Sequence, residues 1–77
     1  MLKTVGLISQ MKDDAGVGYV IEEGTKRQYI FCYSKIRGYK GECAKELRKL
    51  GLGRGHIVWL WINEAAETVA EITPLVF

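Results

Sequence analysis

The chain has 77 residues, of which 48% are hydrophobic and 26% charged, and its net charge is +2. This length predicts a single domain, residues 1–77, that is too small for a large catalytic cleft. The charge is far below that of proteins that hold duplex DNA by charge alone. No apolar stretch approaches the roughly 18 residues of a membrane span, and no cleavage site follows the short apolar patch at the start. We therefore expect a soluble, cytoplasmic protein without a membrane partner.

The soft metal ligands in the sequence are Cys32, Cys43 and His56. They include no close-spaced pair of the kind that zinc sites use, so we expect two reduced cysteines, no metal and no cofactor. His56 opens a predicted strand, and no acid or nucleophile pattern accompanies it. We predict that the protein is not an enzyme.

Five segments have the alternation and flanking turn residues typical of β-strands: residues 3–11, 17–22, 28–33, 56–62 and 68–73. Residues 42–50 instead have helical spacing, with Cys43, Leu47 and Leu50 on one face and Gly51 as a C-terminal stop. Three strands, a short helix and two further strands is the element order of an OB-type barrel. The sequence therefore predicts an all-β, five-stranded OB-type barrel with a short helix between strands 3 and 4.

Three sequence motifs follow one another along these predicted strands. Residues 16–21, GVGYVI, resemble the first RNP-like motif of cold-shock domains, KGFGFI, and Gly6 stands ten residues earlier, as a glycine does in that family. Residues 29–36, YIFCYSKI, are similar to the second motif, VFVHFSAI, and residues 55–62, GHIVWLWI, are similar to the fourth strand. Over most of residues 6–75 the chain thus resembles the cold-shock domain family.

This resemblance implies binding of single-stranded RNA or DNA, in which outward aromatic rings stack on bases and nearby cations meet phosphates. Tyr19 and Tyr33 match family aromatics, and Tyr39 lies close to a further aromatic position. The predicted nucleic-acid-binding residues are Lys12, Tyr19, Arg27, Tyr33, Lys35, Arg37, Tyr39 and Lys40.

The charge distribution fits an anionic partner. Residues 35–54 contain seven basic and two acidic residues, a net charge of +5, which leaves −3 for the rest of the chain. A solvated basic helix is an equally simple interpretation of this segment. The basic residues of the predicted loops have the same alternative interpretation, solvation without a phosphate contact, because charged loop residues are commonly solvated.

The chain also departs from the family at its stacking positions. Gln10 stands where the family has tryptophan, Met11, Val17 and Ile30 stand at phenylalanine positions, and Cys32 replaces a histidine. The alternative function is therefore a protein-binding or self-associating barrel, a homodimer for example, in which Met11, Val17, Ile30 and Cys32 form an apolar interface.

Two tryptophans require a separate interpretation. Alternation in the fourth strand places Leu60 and its inward neighbours in the barrel and both Trp59 and Trp61 outside. We expect the apolar side of the 42–50 helix to cover one or both indoles. The alternative is an exposed patch for a partner or a base.

Overall fold

The computed structural model describes residues 1–75 and contains the predicted elements in the predicted order. Its elements are β1 (Leu2–Lys12), β2 (Val17–Glu22), β3 (Gln28–Cys32), α1 (Ala44–Lys49), β4 (Ile57–Asn63) and β5 (Thr68–Pro74). One turn of 3-10 helix, Tyr33–Lys35, follows β3. Among the described residues, no helix has both the length and the apolar character needed to cross a membrane.

The strands form one antiparallel sheet in the order β3-β2-β1-β4-β5. The sheet curls until the segment after β3 meets β5, where Ile36 forms a parallel bridge to Ile72. The N–H of Arg37 donates a hydrogen bond to the carbonyl of Ile72 at 3.0 Å. This order and this closure give the partly closed, five-stranded OB-type barrel that the sequence predicts.

Two glycines leave room for core side chains of the adjacent strands. A Cβ atom on Gly6 would lie 2.8 Å from a methyl of Val20 and 2.9 Å from a methyl of Leu60. A Cβ on Gly18, the second glycine of GVGYVI, would lie 2.6 Å from the ring of Phe31. Side chains at both positions would push core residues apart, and this is the physical reason for glycine there.

The alternation in β4 is as predicted: Leu60 is buried, and Trp59 and Trp61 lie on the outside. In β1 the alternation is interrupted by a register shift between Ile8 and Gln10. Beyond this bulge Met11 pairs with the buried Gly18 and packs against the core. The prediction that Met11 belongs to an outer interface is therefore wrong, because the extra residue reverses the faces of the strand.

Helix α1 closes one end of the barrel with a single side chain. Leu47 is buried, and the helix ends in a Schellman motif, in which the Leu52 N–H donates to the Leu47 carbonyl at 3.0 Å. Gly51 adopts the predicted left-handed conformation, with φ of 84°. The prediction that Cys43 and Leu50 share a helical face with Leu47 is wrong, because they are the exposed N-cap and C-cap of this six-residue helix.

Candidate functional site

Tyr19 lies on the outer face of the sheet, in the middle of β2. Its cross-strand neighbours are Gln10 in β1 and Ile30 in β3, and its side chain is half-buried. The ammonium of Lys12 lies 5.7 Å from the centre of the Tyr19 ring. An aromatic ring beside a cation on the outer face of a sheet can take a stacked base and its phosphate.

Tyr33 lies in the core instead of on the sheet surface. Its side chain is 4% exposed, and its hydroxyl donates a hydrogen bond to Oδ1 of Asp13 at 2.9 Å. Burial, together with the carboxylate of Asp13, raises the pKa of Tyr33 above its usual value. The prediction that Tyr33 stacks on a base is wrong. The inward and outward alternation of Phe31 and Cys32 continues past the end of β3, so the next ring points inward.

Tyr39 is held by the ring of Tyr33. The two ring centres lie 5.9 Å apart in an edge-to-face arrangement, and the Tyr39 hydroxyl donates to the carbonyl of Glu42 at 3.0 Å. The ring is half-buried against the core. Tyr39 thus anchors the loop that leads to α1.

The predicted arginines are paired with carboxylates. Arg27 forms an ion pair with Glu67 at 3.0 Å, which raises the pKa of the Arg27 guanidinium. Arg37 forms an ion pair with Glu71 in β5. Both pairs are exposed and add little stability, but each places a negative charge beside a predicted phosphate contact.

The predicted lysines differ in position. Lys35 and Lys40 are exposed beyond β3, and Lys12 is half-buried against Tyr19. The structure therefore brings Lys12 together with Tyr19 and disperses the other predicted cations.

A groove lies between the end of β1 and α1, next to Tyr19. We call it the basic groove. It has a volume of about 500 Å³ and is lined by Gln10, Met11, Ala44, Lys45, Arg48, Gly53 and Arg54. None of these lining residues is acidic. Gln10 belongs to both surfaces, because it lines the groove and is the cross-strand neighbour of Tyr19.

The guanidinium of Arg48 is oriented in the basic groove by a hydrogen bond. Its Nη1 donates to the carbonyl of Arg54 at 3.0 Å. Its aliphatic stem lies directly on Gly53, where a Cβ atom would come within 2.7 Å of the Arg48 Cγ. Since one guanidinium N–H is used in this bond, the remaining donors are available to an anion in the groove.

The groove cations are free of the ion pairs found in the described part of the chain. Those pairs involve Lys26, Arg27 and Arg37. In the basic groove Lys45 and Arg54 are exposed, and with Arg48 they concentrate positive charge on one wall. An anion is the ligand that this wall favours.

The sequence did not identify Lys45, Arg48 and Arg54 as binding residues. The net charge of +5 in residues 35–54 was the available signal, but a solvated helix explained it equally well. The packing of Arg48 on Gly53 brings together an α-helix and the loop after it, and no periodicity in the sequence reports that contact.

The two tryptophans have cations over them. The Lys3 ammonium lies 4.4 Å from the ring centre of Trp59 and 5.2 Å from that of Trp61, and the Arg37 guanidinium lies 5.2 Å from Trp61. The prediction that the helix covers the indoles is wrong, because α1 packs at the opposite end of β1, beside the basic groove.

Neither a family model nor a curated protein matches this chain. The OB-type architecture therefore rests on the strand order and its closure. The resemblance to cold-shock domains stays a prediction drawn from the motifs around Gly6, Tyr19 and Ile36.

Proposed function

We propose that the protein binds single-stranded nucleic acid, RNA or DNA, with one base on Tyr19 and the adjoining phosphates in the basic groove. The observation that carries this proposal is the position of Gln10, which joins an outward aromatic ring to a groove with three cations and no acidic lining residue. Rings stack on the face of any base, and cations release ions from phosphates, so the two features complement each other.

The proposal favours single strands over duplexes for a physical reason. Tyr19 can only stack on a base whose face is accessible, and in a duplex both faces are covered by neighbouring bases. One ring supplies about 1 to 3 kcal/mol, so phosphate contacts must provide much of the remaining affinity. We therefore expect binding of modest affinity with a marked dependence on salt.

Two variants of α1 test the role of the groove. Lys45→Gln and Lys49→Gln remove the same charge from exposed positions of one helix, but Lys45 lines the basic groove and Lys49 does not. For a short single strand, Lys45→Gln should reduce the magnitude of the salt slope by roughly 0.7, the value of one phosphate contact. Lys49→Gln should leave the slope close to that of the parent.

The measurement is a titration of the parent and both variants with short single-stranded RNA and DNA at two salt concentrations. Equal losses in both variants would show that net charge, and not the groove, attracts the strand. Absence of binding by the parent at low salt would contradict the proposed function itself.

Self-association is the second candidate function, and the exposure of two isoleucines favours it. Ile30 beside Tyr19 is 56% exposed and Ile57 in β4 is 47% exposed. Val17 and Cys32, cross-strand neighbours on the same outer face, complete an apolar surface. A molecular mass that rises with protein concentration, and that falls to the monomer value in Ile30→Thr, would support this function.

A further inference from the structure

We infer that Arg48 grips the phosphate next to the base stacked on Tyr19, and that the strand is held mainly over this short stretch. This inference rests on the proposed function and names the anchoring phosphate of its ligand.

The first step is the distance between the ring and the groove. Tyr19 and Gln10 are direct cross-strand neighbours, and adjacent strands lie about 4.8 Å apart. Gln10 is itself part of the groove lining. A base on Tyr19 therefore brings its own phosphate, or the next one, to the mouth of the basic groove.

The second step is the orientation of Arg48. The bond to the Arg54 carbonyl orients the guanidinium in the absence of a ligand, and the stem of Arg48 lies on Gly53. A planar guanidinium presents parallel N–H donors that match two oxygens of a phosphate, whereas an ammonium acts as a point charge. Arg48 therefore loses less side-chain freedom when it binds a phosphate than an unbonded side chain would.

The third step concerns what a longer strand would meet. Tyr33 is buried and Tyr39 packs against it, so neither offers a further ring. Arg27 and Arg37 already pair with carboxylates. Trp59 lies in β4 opposite Val5, with Lys3 over its ring. Of the predicted binding residues beyond the groove, Lys35 and Lys40 stay exposed outside the described ion pairs, so a longer strand gains at most these two phosphate contacts.

The length dependence of binding tests this inference directly. Uridylate dimers, tetramers, octamers and dodecamers are titrated at one salt concentration. Affinity should rise from dimer to tetramer. For longer strands it should then increase only in proportion to the number of positions at which the protein can bind along the strand. A further gain of about tenfold above that statistical factor would overturn the inference while leaving the proposed function intact. If no oligomer binds, the proposed function fails, and the inference fails with it.

The role of Arg48 is tested at constant net charge. Arg48→Lys keeps the charge but loses the fork and the bond to Arg54, and we expect tetramer affinity to fall about tenfold. Lys49→Arg is the matched control on the same helix outside the groove, and it should bind like the parent. A melting temperature close to that of the parent would show that Arg48→Lys is folded. Parent-like binding by Arg48→Lys would overturn the anchoring role.

Discussion

The hydroxyl of Tyr33 donates a hydrogen bond to Asp13 at 2.9 Å, and the same carboxylate oxygen accepts the backbone N–H of Ala44 at 2.7 Å. One side chain in the turn after β1 therefore joins the end of the core to the first residue of α1. The helix that forms one wall of the basic groove is thus positioned partly by a buried phenol.

Tyr33→Phe tests this connection. The change removes a hydrogen bond to a charged acceptor in a buried place, so the free energy of unfolding should fall by about 1.5 to 3 kcal/mol. Tyr19→Phe is the matched control, since it deletes the same atom from an outward ring and should change stability by less than about 0.5 kcal/mol. Urea denaturation of the two variants gives both values. Equal effects would show that the Tyr33 hydroxyl is no more important than one on the surface.

The inward face of β4 leads to a second prediction. Leu60 is 0% exposed and lies against Gly6, so Leu60→Ala should lower the free energy of unfolding by about 2 to 5 kcal/mol. Ile57→Ala on the same strand is the control and should cost much less, because Ile57 is 47% exposed. Thermal denaturation distinguishes them. Greater damage from Ile57→Ala would place the strand in the opposite register.

Glu22 leads to a prediction about pH. The side chain is buried, and hydrogen bonds from the hydroxyl of Thr25, then from Thr4 and the amide of Gly24, lower its pKa below 4.5 despite the opposing effect of burial. Because the pKa is lower in the folded state, the carboxylate stabilises the fold above about pH 4.5, and this contribution is lost as the pH falls through the folded-state pKa.

Glu22→Gln measures that contribution. At neutral pH the variant should be less stable than the parent by about 1 to 3 kcal/mol. The difference should shrink as the pH of the unfolding experiment is lowered below 4.5 and through the folded-state pKa. Glu23→Gln, at the exposed neighbouring position, should have little effect at either pH. A difference for Glu22→Gln that is constant with pH would mean that its charge is not what stabilises the turn.

The division of binding between the ring and the cation gives a fourth prediction. Tyr19→Ala should weaken single-strand binding by about 1 to 3 kcal/mol and leave the salt slope unchanged, because stacking releases few ions. Lys12→Gln should reduce the magnitude of the slope by roughly 0.7. Tyr19→Phe keeps the ring and should bind like the parent. If Tyr19→Ala bound as well as the parent, the outer face of β2 would not be the site.

The strands could be predicted from the sequence because their signals are local. The alternation of residues 56–62 and the turn residues around Gly16 and Asn63 reflect one face in the core and one in solvent. The order of elements then restricted the topology to very few barrels. These features need no knowledge of distant contacts.

The errors arose where distant contacts decide the outcome. Met11 faces the core because of a bulge in β1. A bulge inserts one extra residue into a strand, and the alternation of the sequence does not show where. Tyr33 is inward because the alternation of β3 continues, and a carboxylate from another turn satisfies its buried hydroxyl. Trp61 is covered by Lys3 and Arg37, which come from β1 and from the loop after β3. Each outcome depends on residues far apart in the chain.

The seam at which the β3 edge of the sheet closes on the β5 edge affects how the barrel opens. Apart from the bridge of Ile36 to Ile72, this seam is spanned by two exposed ion pairs, Arg27 with Glu67 and Arg37 with Glu71. Exposed pairs weaken as salt screens them, whereas the ladders of β1 do not depend on charge. We therefore expect amide hydrogens of β3 and β5 to exchange faster at high salt while those of β1 stay protected, so that local unfolding begins along the seam.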